Sequence, residues 1–70
     1  MKYLIVIEET KSGFSAYSPD LDGCVATGRN RRAVERTMRE AIGFHLESLK
    51  AEGQQVPKPH TTSAYVEVSA

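Results

Sequence analysis

Tyr17-Ser18-Pro19-Asp20-Leu21-Asp22-Gly23-Cys24-Val25-Ala26-Thr27-Gly28-Arg29-Asn30 is the stretch in which the chain changes from strand to helix. Pro19 ends an extended segment, because proline brings no N–H to a ladder. Pro19 to Gly23 reads as a loop, Cys24 to Thr27 as a short strand, and Gly28 as its end. Asn30 then suits a helix N-cap, where its side-chain oxygen can accept from a free backbone N–H.

Toward the C-terminus the period becomes helical. Val34, Met38, Ala41, Ile42, His45 and Leu49 fall at steps of three, four and seven, one helix face, which predicts a helix over 31–51. Gly53 supplies its stop, and the interior Gly43 costs about 1 kcal/mol relative to alanine. Residues 54–62 carry Pro57 and Pro59 and read as an extended connector. Residues 63–69 then alternate, with Ala64, Val66 and Val68 on one face, and predict a fourth strand.

Toward the N-terminus, residues 14–18 form a strand. The turn chemistry of Glu9 to Gly13 joins it to a first strand over 2–8, rich in β-branched residues. The predicted order is β-β-β-α-β, an α+β chain. One helix on an antiparallel sheet, a two-layer sandwich, is the simplest way to bury these faces. The first strand is apolar on both sides, Tyr3, Ile5 and Ile7 on one and Leu4 and Val6 on the other. A single helix covers only one face of a sheet, and exposed apolar patches mark interaction sites. Tyr3, Ile5 and Ile7 are therefore candidates for self-association.

With 70 residues the chain is expected to be one domain, 1–70. A domain this small buries only about 60% of the surface its unfolded chain exposes, so its core needs support. Cys24 is the sole cysteine, which excludes an internal disulfide, and the two histidines, His45 and His60, lie far apart. No metal and no cofactor is expected. Self-association, as a dimer or higher homo-oligomer, remains as the source of extra stability. Nine Lys and Arg balance nine Asp and Glu, so net charge alone predicts no pull toward nucleic acid. The apolar run Tyr3 to Ile7 is too short for a signal peptide, and no stretch approaches the roughly 20 apolar residues of a membrane span. The expected compartment is the reducing cytoplasm.

The motif Tyr17-Ser18-Pro19-Asp20-Leu21-Asp22-Gly23-Cys24 resembles that of the HicB antitoxin family: tyrosine, then proline-acid-leucine, then glycine-cysteine. Glu40-Ala41-Ile42 resembles the family's helix motif, and the exit from Gly53 to Pro59 is similar too, so the likeness covers nearly the whole chain. The resemblance implies a partial RNase H-like fold and an antitoxin role, in which a small HicA-type mRNA-cleaving toxin is bound and its active site masked. If that role holds, the candidate partner contacts lie in the loop after the second strand, at Tyr17, Pro19, Asp20, Leu21 and Asp22, whose acids would complement a basic toxin. Many members also carry a C-terminal DNA-binding domain. This sequence ends at Ala70, after the fourth predicted strand, so direct DNA binding is not expected of it. It also departs from the family at the helix start, where Arg29-Asn30-Arg31-Arg32 replaces an acidic first turn.

Enzymatic chemistry finds little support. Two-metal hydrolysis needs carboxylates converging on ions about 3.5–4 Å apart, whereas the acids here are scattered and the tight pair, Asp20 and Asp22, sits in a loop where aspartate commonly serves a turn. A calcium loop starting at Asp20 would need glycine and glutamate where Val25 and Arg31 stand. Cys24 and a histidine have no spacing that brings them together, and a strand cysteine is ordinarily a small buried hydrophobe. His45 reads as a core or interface residue and His60 as exposed.

Arg29, Arg31, Arg32, Arg36 and Arg39 crowd the first turns of the helix, where the macrodipole disfavours positive charge. Arg32, Arg36 and Arg39 fall together on a side away from the apolar face. Glu35 can pair with Arg39. The stripe is either a solvated face or a contact for an acidic partner or an RNA backbone. A stand-alone RNA-binding module and an orphan self-associating domain are accordingly the rival readings.

Overall fold

The computed structural model describes residues 1–70 and contains β1 (Val6–Glu9), β2 (Phe14–Tyr17), β3 (Val25–Gly28) and α1 (Arg31–Ala51). The strands form one antiparallel sheet in the order β1-β2-β3. Its register sets the two faces. Ile7 lies opposite Ala16, and Ala16 opposite Ala26; Val6 lies opposite Tyr17, and Tyr17 opposite Val25. Because side chains alternate along a strand, the first row shares one face and the second row the other.

The helix covers the first face. Val34 and Met38 are fully buried beneath it, together with Ala16, Leu21 and Cys24. Tyr3, Ile5, Ile7, Phe14, Ile42 and Leu46 pack around that centre. Burying side chains such as Val34, Met38 and Leu21 stabilises the fold by about 1.5–3 kcal/mol each. The helix lies mainly over β3 and β2. Gly28 makes this approach possible, since a Cβ there would stand 2.7 Å from the Val34 nitrogen. Both helix ends are satisfied by sequence-local groups. The Asn30 side chain accepts from the Ala33 N–H at 2.8 Å. At the other end Gly53, at φ 70°, closes a Schellman turn: its N–H donates to the Lys50 carbonyl, and that of Gln54 to Leu49.

The α+β sandwich is as the sequence predicts, with three differences. The β1 ladder starts at Val6, not at residue 2, because β2 has already turned into its loop; the Ser18 hydroxyl donating to the Leu4 carbonyl at 3.1 Å is the hydrogen bond made there. Residues 63–69 are extended in pattern but form no strand. A strand exists only where a neighbour accepts its hydrogen bonds, and within one chain no neighbour does. Finally, Tyr3, Ile5 and Ile7 pack against the core, so the uncovered face of the sheet is the other one, of Leu4, Val6, Tyr17 and Val25. This corrects the assignment of Tyr3, Ile5 and Ile7 as a free self-association face.

Candidate partner-binding site

The loop between β2 and β3 folds on itself. The Ser18 N–H donates to the Cys24 carbonyl at 3.2 Å, and the Leu21 N–H to the Ser18 carbonyl at 3.2 Å. This closure sends Leu21 into the core, where it is 1% exposed. Asp20 also turns inward. Its carboxylate accepts from the His60 N–H at 3.0 Å, the Thr61 N–H at 3.1 Å and the Thr61 hydroxyl. The His60 Nδ1 stands 3.3 Å away. The Thr61 hydroxyl is the strongest influence on this carboxyl; burial opposes it, and the two backbone donors and the His60 charge assist it, leaving the pKa below its ordinary value of 3.8.

Pro19 and Asp22 remain on the surface of the loop. Beside them on the helix-free face stands the row Val6, Tyr17 and Val25, with Tyr17 43% and Val25 68% exposed. The loop residues therefore separate. Tyr17, Pro19 and Asp22 can meet a partner, while Asp20 and Leu21 are held inside, which corrects their assignment as contact residues. The inward turn of Asp20 depends on residues forty positions away, so nothing local announced it. Val25 and Val6 were missed for a different reason: they share the face of Tyr17 by strand parity, a signal that the sequence does contain.

Elsewhere, Arg32, Arg36 and Arg39 are all exposed. Glu35 pairs with Arg31 at 3.0 Å, not with Arg39. Arg29, Arg32 and Arg36 border one shallow hollow at the helix start, whereas Arg39 borders another, beside Met38 and Ile42. Cys24 and His45 line a common hollow with Phe44, a proximity that sequence spacing did not reveal. The thiol is buried, and burial pushes its pKa up, which opposes thiolate formation. No three His, Cys, Asp or Glu side chains are grouped so as to hold a metal ion, and no helix is long and apolar enough to cross a membrane.

Comparison with known proteins places the chain in a family. A protein from the rep-hol intergenic region of Haemophilus phage HP1 is 30% identical over 66 residues, 94% of this chain and 50% of that protein, so the chain spans half the length of that relative. A UPF0150 protein of Thermoplasma acidophilum is 30% identical over 83% of this chain and 86% of its own length. One from Synechocystis is 39% identical over 80% of this chain and 72% of its own. Among solved structures, a chain of a "HicA3 and HicB3 toxin-antitoxin complex" superposes with a TM-score of 0.72 at 37% identity, covering 86% of this chain and 70% of that one. Residues 3–69 match the family described as "HicB_like antitoxin of bacterial toxin-antitoxin system". With its fold, its Pro19 to Cys24 loop and nearly its whole length accounted for in that match, the chain belongs to the HicB-like antitoxin family.

Proposed function

We propose that this chain neutralises a small HicA-type mRNA-cleaving toxin by covering the toxin's active site with the helix-free face of its sheet. The observation that carries the reading is the open row of Val6, Tyr17 and Val25 flanked by Pro19 and Asp22. It is an apolar patch with an acidic rim, on a fold similar to a chain solved in a HicA3–HicB3 complex. Aromatic anchors of this kind dominate interface energetics. Asp22 adds charge complementary to a basic nuclease and steers its approach. The role is binding, not catalysis, and its compartment is the cytoplasm.

The test is affinity purification of the chain from its own host. A small basic polypeptide retained in stoichiometric amount, toxic when expressed alone and harmless when co-expressed, is the expected result. Recovery of the chain without such a companion would contradict it.

One observation favours a second reading. Arg29, Arg32 and Arg36 line a hollow at the positive end of a helix dipole, a place suited to a phosphate backbone. An RNA-binding module would show affinity for RNA that falls steeply with salt and disappears when Arg32 and Arg36 become glutamine.

A further inference from the structure

We infer that the arginine face of α1 binds an RNA strand by its phosphates, on the layer of the molecule opposite the face assigned to the toxin. RNA binding is then a separate property of the helix layer and coexists with toxin binding.

Charge along the helix runs against the helix's own dipole. Residues 29–39 hold five arginines and one glutamate, whereas residues 40–52 hold three glutamates and one lysine. The first turn of α1 carries no acid. The macrodipole favours the reverse, acids first and bases last. Glu35 is taken up by Arg31 at 3.0 Å, and the other ion pair of the chain joins His60 to Asp20. Arg29, Arg32, Arg36 and Arg39 therefore have no carboxylate partner, and all four are exposed. Neither helix stability nor an internal partner accounts for them.

These residues form a face that runs well past the helix end. Arg36 and Arg39 belong to the second and third turns. At about 100° per residue, Arg32, Arg36 and Arg39 fall within about 60° of one another, turned away from the buried Val34 and Met38. Arg29, Arg32 and Arg36 converge on one hollow, whose other walls are Gly28, Asn30 and Ala33. That lining decides between kinds of partner. A protein interface is built on a buried apolar or aromatic centre with charge at its rim, and no such anchor stands in this hollow. A nucleic-acid backbone asks for cations and little else. From Arg32 to Arg39 the face covers about 10 Å of helix, the scale of a few phosphates of one strand. No aromatic side chain borders the hollow to stack a base, so binding is expected without sequence preference.

The row of Val6, Tyr17 and Val25 lies on the other side of the sheet, so the two surfaces do not compete. RNA is favoured over DNA as the source of the phosphates because a chain holding an mRNA-cleaving partner works beside RNA. In that choice alone the inference rests on the antitoxin reading.

The test is fluorescence anisotropy of the full chain with a short labelled single-stranded RNA. Log affinity should fall with log salt at a slope near −3, about −0.7 for each of four phosphates. Raising salt from about 50 to about 200 mM should thus weaken binding about 50-fold. Arg32→Gln with Arg36→Gln should halve the slope and lower the affinity at low salt at least about 10-fold. Arg32→Lys with Arg36→Lys should restore both, because contact with a phosphate backbone needs the charge and not the guanidinium fork. Circular dichroism should show the parent's helix content in both pairs, since both positions are exposed. Tyr17→Ala with Val25→Ala should leave RNA affinity unchanged. A parent chain without RNA affinity at low salt would overturn the inference, as would a slope that the glutamine pair does not alter. Duplex DNA bound about 10-fold more tightly than RNA would assign the face to DNA, and equal competition by polyglutamate would assign it to an acidic protein; either result contradicts the inference. None of these outcomes touches the antitoxin reading, which stands or falls with the companion polypeptide.

Discussion

Two stretches of this chain lack regular structure, and they are held in opposite ways. The loop 18–24 is short, but Ser18, Asp20, Leu21 and Cys24 are all buried, and its backbone bonds close it on itself. The segment 55–70 is longer and richer in strand-forming residues, yet its hydrogen bonds to the body are those by which Pro57 accepts from Tyr3 and His60 and Thr61 donate to Asp20. Strand propensity does not decide order; a partner does. The loop finds its partner in the core beneath it, while residues 63–69 make no backbone hydrogen bond at all.

That contrast can be broken first at Leu21. Leu21→Ala should destabilise the fold by about 2–5 kcal/mol, read from the denaturant midpoint, because it empties a fully buried site. Val66→Ala, at a position 80% exposed, should change stability by less than about 0.5 kcal/mol. Similar losses at both positions would erase the distinction.

The Asp20 clasp is the next target. Asp20→Asn should raise hydrogen exchange at His60 and Thr61 while leaving the amides of α1 protected. The same release should follow pH. The carboxyl's pKa is lower folded than free, so its stabilisation is complete above the ordinary value of 3.8 and is lost as pH falls through the lower folded value. Exchange at His60 and Thr61 should thus be indifferent to acid down to about pH 5 and rise only below the ordinary carboxylate range. Release well above the ordinary carboxylate range would contradict this account. Smallest of all, Asp22→Asn should leave stability within about 0.5 kcal/mol of the parent, since Asp22 is exposed; a larger loss would mean that the two acids of the loop are not divided as described.

How much of this was legible in the sequence follows the same division. The helix runs over the residues that its N-cap, Asn30, and its stop, Gly53, delimit, because both signals act within four residues of themselves. β2 and β3 fall within a residue of their expected bounds, fixed by Pro19 and Gly28. The missing fourth strand and the inward turn of Asp20 both depend on residues distant in the chain, and no local pattern encodes them. The helix-free face lies between these cases. Strand alternation puts Val6, Tyr17 and Val25 together once the register is known, but which side the helix takes is settled by packing. Hence Tyr3, Ile5 and Ile7 were expected outside and are found half-buried against the core.

The central claim is that the helix-free face, not the arginine-bearing helix, engages a toxin. The most direct test is to measure the affinity of the toxin recovered with this chain for two double variants. Tyr17→Lys with Val25→Lys should bind at least about 100-fold more weakly, as loss of a central aromatic anchor and its neighbour implies. Arg32→Gln with Arg36→Gln should bind as the parent does. If the arginine variant loses binding and the face variant keeps it, the assignment of the face is wrong.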